Sequence, residues 1–235
     1  MKYENMDSFK EKIKDINTVV IPIGMIEAHG HHCSLATDIL IPSKFCEILN
    51  KEIGDSIMIA PAVNYGHSWA LSPYPGTINV SMEAFSNYVK EIALEFIRNG
   101  FKNIVLLNGH GGNASALSPV AEAIANNDGV SVTFHWWIDF KEEILKITEG
   151  QGHAGEDETS AVLAIDESLV DMSKATSNNI NINGRILFKD FGKLIYKDAL
   201  SGDATKATKE KGEQIYTSVS KRMIEIIKDI QSKNY

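Results

Sequence analysis

The run at residues 103–107 (NIVLL) stops abruptly on Asn108-Gly109-His110-Gly111-Gly112-Asn113. An apolar, β-branched stretch of this length, cut off by glycines, reads as a strand buried on both faces, and such strands belong to parallel sheets covered by helices. Thr18–Ile23 (TVVIPI) has the same character, and residues 56–60 (SIMIA) and 130–136 are further strand candidates. Helical spacing fills the intervals. Phe45, Ile48 and Leu49 share one face of residues 43–53. Ser81 is placed to cap a helix carrying Phe85, Val89, Ile92, Phe96 and Ile97, which Asn99-Gly100 stops. Residues 114–125, 157–165 and 203–230 complete the series, the last with Ile215, Val219, Met223, Ile226 and Ile230 as its apolar stripe. Alternation of this kind predicts an α/β fold with a largely parallel sheet. Ligands in such folds sit outside the carboxyl ends of the strands. The loops after Ile23 and after Leu107 fall there, and both are rich in histidine. Residues 180–202 read as an irregular excursion near that site.

A chain of 235 residues, 43% hydrophobic, suffices for one sizeable core, so residues 1–235 are expected to form a single domain. The formal charge of -8 argues against nucleic acid, whose phosphates need clustered lysine and arginine. The apolar runs are too short and interrupted to cross a membrane. The N-terminal stretch reads as an amphipathic helix rather than a signal peptide, and the two cysteines, Cys33 and Cys46, do not make a disulfide scaffold. A cytoplasmic location is the expectation.

Three loops concentrate the chemistry. The first is Glu27-Ala28-His29-Gly30-His31-His32, closing at Thr37-Asp38. Imidazole and carboxylate donors converging from a turn are what a divalent metal needs. Glu27 and His29 leave an extended segment on the same side, and an aspartate placed like Asp38 can bridge two ions with its two oxygens. The second is the glycine-rich turn around His110, which lacks the lysine and spacing of a phosphate loop. The third is residues 153–160 (HAGEDETS), where His153 and Glu158 stand out. One can exchange protons and the other can bind metal. Glu156 and Asp157 read as carboxylates favourable at a helix start. Taken singly, each loop also reads as an ordinary polar or glycine turn. His67 reads as a pocket or surface residue. Trp136 and Trp137 can line an apolar pocket, with core burial as the default.

Together, and in this order, these motifs resemble the creatininase (creatinine amidohydrolase) family. The matching segments are residues 21–38 (IPIGMIEAHGHHCSLATD), 65–68 (YGHS) with 75–77 (PGT), 108–113 (NGHGGN), 153–160 and 201–212 (SGDATKATKEKG). The resemblance implies a creatininase-like, three-layer α/β fold and a binuclear metal centre. It implies a homo-oligomer, a hexamer in the family. By position, Glu27 and His110 hold one metal, His29 holds the other, Asp38 bridges them, and His153 is catalytic. Two departures stand out. Creatininase carries Tyr-Glu where this chain has Gly111-Gly112, and that glutamate is a metal ligand, so Glu158 is expected to replace it. Leu71 stands where many relatives have histidine. Both changes reshape the pocket and point away from creatinine itself. His31 and His32 are expected to orient ligands, and Gly111, Gly112, Asn113 and Trp136 to support or line the pocket.

The expected activity is hydrolysis of an amide, lactam or formamide C–N bond in a small molecule. Two divalent ions are expected, zinc first, with manganese or iron(II) also suited to mixed imidazole and carboxylate donors. Two other readings compete. Phosphoester hydrolysis on the same metals needs Arg or Lys to clamp phosphate, and the motif loops hold neither. A non-catalytic metal-containing binding protein is the other. Structural zinc sites are closed by four protein ligands, whereas five candidates shared between two ions leave positions open.

Overall fold

The two doubly buried runs lie side by side at the centre of a sheet. The computed structural model describes residues 1–180 and 187–233. The elements are α1 (Met6–Lys12), β1 (Thr18–Ile23), α2 (Thr37–Ile53), β2 (Met58–Ile59), α3 (Met82–Arg98), β3 (Asn103–Asn108), α4 (Ala114–Ala125), β4 (Val130–His135), α5 (Trp136–Asp139), α6 (Lys141–Ile144), α7 (Glu156–Ile165), β5 (Ser177–Asn178), α8 (Gly192–Ile195), β6 (Gly202–Asp203) and α9 (Lys209–Ser232). The main sheet has the order β2-β1-β3-β4, and every pairing in it is parallel. A separate antiparallel pair joins β5 to β6.

Alternate residues of β1 and β3 serve opposite cores, as a pleated strand requires. Val20, Val105 and Leu107 pack with Phe45 and Leu49 of α2, Val162 of α7, and Ile215, Val219 and Met223 of α9. Val19, Ile21, Ile23, Ile104 and Leu106 pack with Phe85 and Val89 of α3 and with Leu117 and Val120 of α4. The result is the α/β fold with a parallel sheet expected from the alternation, in the three layers that the resemblance implies.

The differences from the expected elements are local. Helix α2 begins at Thr37, not at residue 43, and carries Pro42 inside it. Proline there forfeits only the bond to the Asp38 carbonyl, close enough to the helix start to be tolerated. This earlier start puts Asp38 in the first turn. Helix α9 begins later, at Lys209, with Thr208 accepting from the Lys211 N–H as its cap. Its buried stripe includes Ile215, Val219, Met223 and Ile227, so Ile227 takes the place of Ile226 and Ile230, which are only half-buried. Trp136 starts a helix instead of ending β4. Of residues 180–202, those at 181–186 lie outside the described residues. No helix among the described residues is long and apolar enough to cross a membrane. Both cysteines are free thiols.

Candidate metal centre

Glu27 and His29 lie beyond the end of β1, and His110 lies beyond the end of β3. Asp38 sits in the first turn of α2, Glu158 in the first turn of α7, and His153 just before that helix. Close approach of the backbone brings Asp38 into place. A Cβ on Gly24 would stand 2.6 Å from the Asp38 carbonyl oxygen, and one on Gly109 only 2.1 Å from it. Glycine at both strand ends therefore lets the start of α2 settle between them.

All six side chains converge. Nε2 of His29 lies 3.0 Å from Oδ1 of Asp38 and 3.5 Å from Oε2 of Glu158. Nδ1 of His110 lies 2.8 Å from Oδ2 of Asp38 and 3.2 Å from Oε2 of Glu27. Nδ1 of His153 lies 3.5 Å from the same Glu27 oxygen. Three triplets have donor atoms within 4.8 Å of one another: Glu27, Asp38 and His110; His29, Asp38 and Glu158; Glu27, His29 and His153. Asp38 belongs to the first two and joins them, one oxygen to each.

The opposite edges of the rings settle which nitrogens face the cluster. Nδ1 of His29 lies 3.0 Å from the Glu27 carbonyl oxygen, Nε2 of His110 lies 3.1 Å from that of His67, and Nε2 of His153 lies 2.8 Å from that of Ala28. A carbonyl can only accept, so each of these nitrogens carries a proton and donates it. In a neutral ring the other nitrogen then presents a lone pair to the carboxylates. Lone pairs facing buried anions repel unless a proton or a cation lies between them. Oε2 of Glu27 and Oδ2 of Asp38 are buried without a hydrogen-bond partner. Buried polar atoms rarely stay unsatisfied. Carbonyl-anchored imidazoles converging on orphaned carboxylate oxygens fit divalent cations.

The electrostatics agree. Burial opposes a charge on His29, but Asp38, Glu158 and Glu27 outweigh it and raise the imidazole to about 10. Burial likewise opposes His110, and Glu27 and Asp38 raise it well above the usual histidine range. Asp38 goes the other way: His29 and His110 overcome burial and hold it well below the carboxylate range. Glu158 is pushed well above that range by burial, with Asp38 and Asp157 adding to the push against the pull of His29. Protons and metal therefore compete for the same atoms. Metal affinity is expected to climb with pH from 6 to 9, by up to about tenfold per unit for each proton displaced. Zinc titrations in chelator buffers check this, and a flat profile would contradict it.

Glu158 is braced from both sides. The Ala154 N–H donates to its Oε2 at 2.7 Å, and Ala154 holds a φ of 53°, a left-handed conformation costly for a residue with a Cβ. The Ala154 carbonyl accepts from the Thr159 hydroxyl at 3.1 Å, and that hydroxyl accepts from Nε2 of His32 at 2.9 Å. His32 thus supports the turn that carries Glu158, without touching a candidate ligand. Glu27 has its own support in Ser68, a buried hydroxyl that donates to Oε1. Ser68→Ala is expected to weaken zinc binding by about 10–100-fold, read by the same titration. Unchanged affinity would remove Ser68 from the site.

Several expected neighbours sit elsewhere. His31 is exposed, with Asp198 3.9 Å away, and orients no ligand. The reason is Gly30, whose φ of 62° reverses the chain, so that His32 turns inward and His31 outward. Trp136 is not a pocket residue. It is fully buried and packs on Phe45, with ring centroids 6.0 Å apart. Its neighbour Trp137 lines the cleft instead. Gly111 and Gly112 do line the cleft, and a Cβ at Gly112 would come within 2.0 Å of the His67 carbonyl oxygen. Position 112 therefore has no room for a ligand side chain. Asn113 is a brace: its Oδ1 accepts from the His67 N–H at 2.8 Å and its Nδ2 donates to the Gly24 carbonyl at 3.1 Å. Glu156 and Asp157 do more than complement a helix dipole. Glu156 is buried and pairs with Lys211 at 2.6 Å, and Asp157 is buried and accepts from the Gly152 N–H at 3.0 Å. Tyr196, which the motifs did not signal, stacks edge-on to His153 at 5.6 Å and lines the cleft.

The creatininase family model, described as creatinine amidohydrolase, matches residues 2–227. Among curated proteins, creatinine amidohydrolase of Pseudomonas putida is 28% identical over 182 residues, 68% of each chain. Mycofactocin precursor peptide peptidase of Mycolicibacterium smegmatis is 28% identical over 211 residues, 86% of this chain and 80% of the relative. Among solved structures, one titled "Creatininase Mn" has a TM-score of 0.88 over 99% of this chain and 98% of its own, at 23% identity.

Proposed function

This chain belongs to the creatininase family, and we propose that it hydrolyses a C–N bond of a small amide, lactam or formamide with the help of two divalent cations. One observation carries the reading. Three imidazoles, those of His29 and His110 buried and that of His153 partly buried, each anchor one ring nitrogen on a backbone carbonyl and turn the other toward buried carboxylates. Glu27, Asp38 and His110 would hold one ion, and His29, Asp38 and Glu158 the other. When bound, such ions supply Lewis acidity, which polarises a carbonyl and lowers the pKa of water. Zinc, manganese and iron(II) all suit this donor set.

His153 is the proposed proton carrier. Its Nε2–H is held by the Ala28 carbonyl, which leaves Nδ1 facing the cluster. Burial and the neighbouring His29 lower its pKa to about 4, so at neutral pH Nδ1 is free to take a proton. Having taken the proton of the attacking water, the imidazolium is a strong acid and gives that proton to the departing nitrogen. The N–H groups of Gly111 and Gly112, which line the cleft, are the proposed donors to the developing oxyanion; those of Gly109, His110 and Asn113 are already engaged.

Creatinine itself is disfavoured. Leu71 is buried against Ala28 and Ala199, so apolar packing fills the position where many relatives have histidine. The similarity to a mycofactocin precursor peptide peptidase supports a substrate other than creatinine. A single hydrolase domain spanning residues 1–235 is part of the proposal, supported by a family match that covers residues 2–227. Homo-oligomeric assembly is proposed on family membership alone.

The test is a panel of amides, lactams and formamides assayed before chelation, after it, and after zinc, manganese or iron(II) is returned. Turnover that disappears and comes back supports the reading. Turnover indifferent to chelation would overturn it.

A further inference from the structure

The cleft above the cluster has a volume of about 660 Å³, within the range of about 300–1,000 Å³ that holds extended small molecules. Glu27, Asp157 and Glu158 line it together with His110 and His153. Trp137 and Ile138 of α5 contribute apolar lining, and Lys141, the first residue of α6, also lines the cleft. The Trp137 carbonyl accepts from Nε2 of Gln151 at 2.8 Å, which pins this wall to the segment carrying His153.

Lys141 is the only lysine or arginine lining the cleft among the described residues. It is exposed, and no hydrogen bond or ion pair engages its ammonium among the described residues. Elsewhere Lys206, Lys209 and Lys211 each pair with a glutamate. An unpaired ammonium in the cleft wall, apart from the candidate metal ligands, offers an anionic group of the ligand a partner of its own. A phosphate is normally clamped by several donors, often with a bidentate arginine. One lysine with no arginine suits a monoanion.

We propose that Lys141 reads a carboxylate of the substrate, so that the substrate class is an amide with an apolar part and a free carboxylate, such as an N-acyl amino acid. The carboxylate lies at Lys141, the apolar part runs along Trp137 and Ile138, and the amide reaches the metal cluster. This assignment rests on the amidohydrolase reading of the site. Lys141 is a specificity residue and takes no part in bond cleavage.

The test compares N-formyl-L-leucine with its neutral analogue N-formyl-L-leucinol, using the metal-loaded wild type, K141M and K141R. Both kcat/KM and calorimetric Kd are measured. The wild type is expected to favour the acid by roughly tenfold. K141M should erase that preference through KM, with kcat nearly unchanged, and K141R should keep it. Equal treatment of acid and alcohol by the wild type would overturn the proposal. So would a preference that survives in K141M, since the metals would then be reading the carboxylate. The Kd comparison decides the matter even without turnover, and absent turnover counts against the amidohydrolase reading separately.

Discussion

Asp38→Ala is expected to lower kcat/KM by more than about 10³-fold, because Lewis-acid stabilisation by bound metal is worth several kcal/mol. Asp38 is the only candidate ligand that offers a separate oxygen to each half of the cluster: Oδ1 at 3.0 Å from His29 and Oδ2 at 2.8 Å from His110. Its removal weakens both halves, whereas loss of His110 removes a ligand from one. The variant also leaves His29 and His110 without the carboxylate that offsets their burial. Steady-state kinetics with added metal, alongside circular dichroism to confirm folding, check the prediction. Wild-type turnover in the metal-loaded variant would sink the two-metal scheme.

His153→Ala should cost about 10²–10⁴-fold in kcat, the range associated with a positioned acid or base. Metal content should be largely retained, because the triplets that share Asp38 do not include His153. That separation distinguishes a proton carrier from a ligand. An amide whose leaving nitrogen is already weakly basic needs less protonation, so its rate should fall less in the variant. Loss of bound metal in step with activity would instead assign His153 to coordination with Glu27 and His29. Burial and the neighbouring His29 lower the His153 imidazole to about 4, so with saturating metal the wild-type kcat should stay level from pH 7 down to about 5, and a steep fall over that range would contradict the role.

The sheet was legible because its central strands are buried on both faces, so residues 18–23 and 103–107 need no amphipathic pattern to be read. The start of α2 was hidden because Pro42 looks like a boundary, and only tertiary packing against Gly24 and Gly109 justifies the extra turn. Glu27, His29 and His110 stood out as metal donors after the ends of parallel strands, whereas Asp38, His153 and Glu158 stood out only as donors in polar loops, with roles taken from the family resemblance. Their supports were less visible. Nothing local says that His32 rather than His31 turns inward, or that Trp137 rather than Trp136 faces the cleft. Ser68 lies in the YGHS motif, but nothing in that motif says that its hydroxyl supports Glu27, and Tyr196 comes from a segment with no motif at all. The Gly111-Gly112 departure gains its meaning only in three dimensions, where position 112 has no room and Glu158 comes to lie 3.5 Å from His29.

The central claim is a pair of metal sites that share Asp38. Elemental analysis of protein purified without chelator tests it most directly. The account predicts about two divalent transition-metal ions per chain, as the ligand sets allow, with fewer in His110→Ala. A protein that carries no such metal, and takes up none when zinc, manganese or iron(II) is added back, would contradict it.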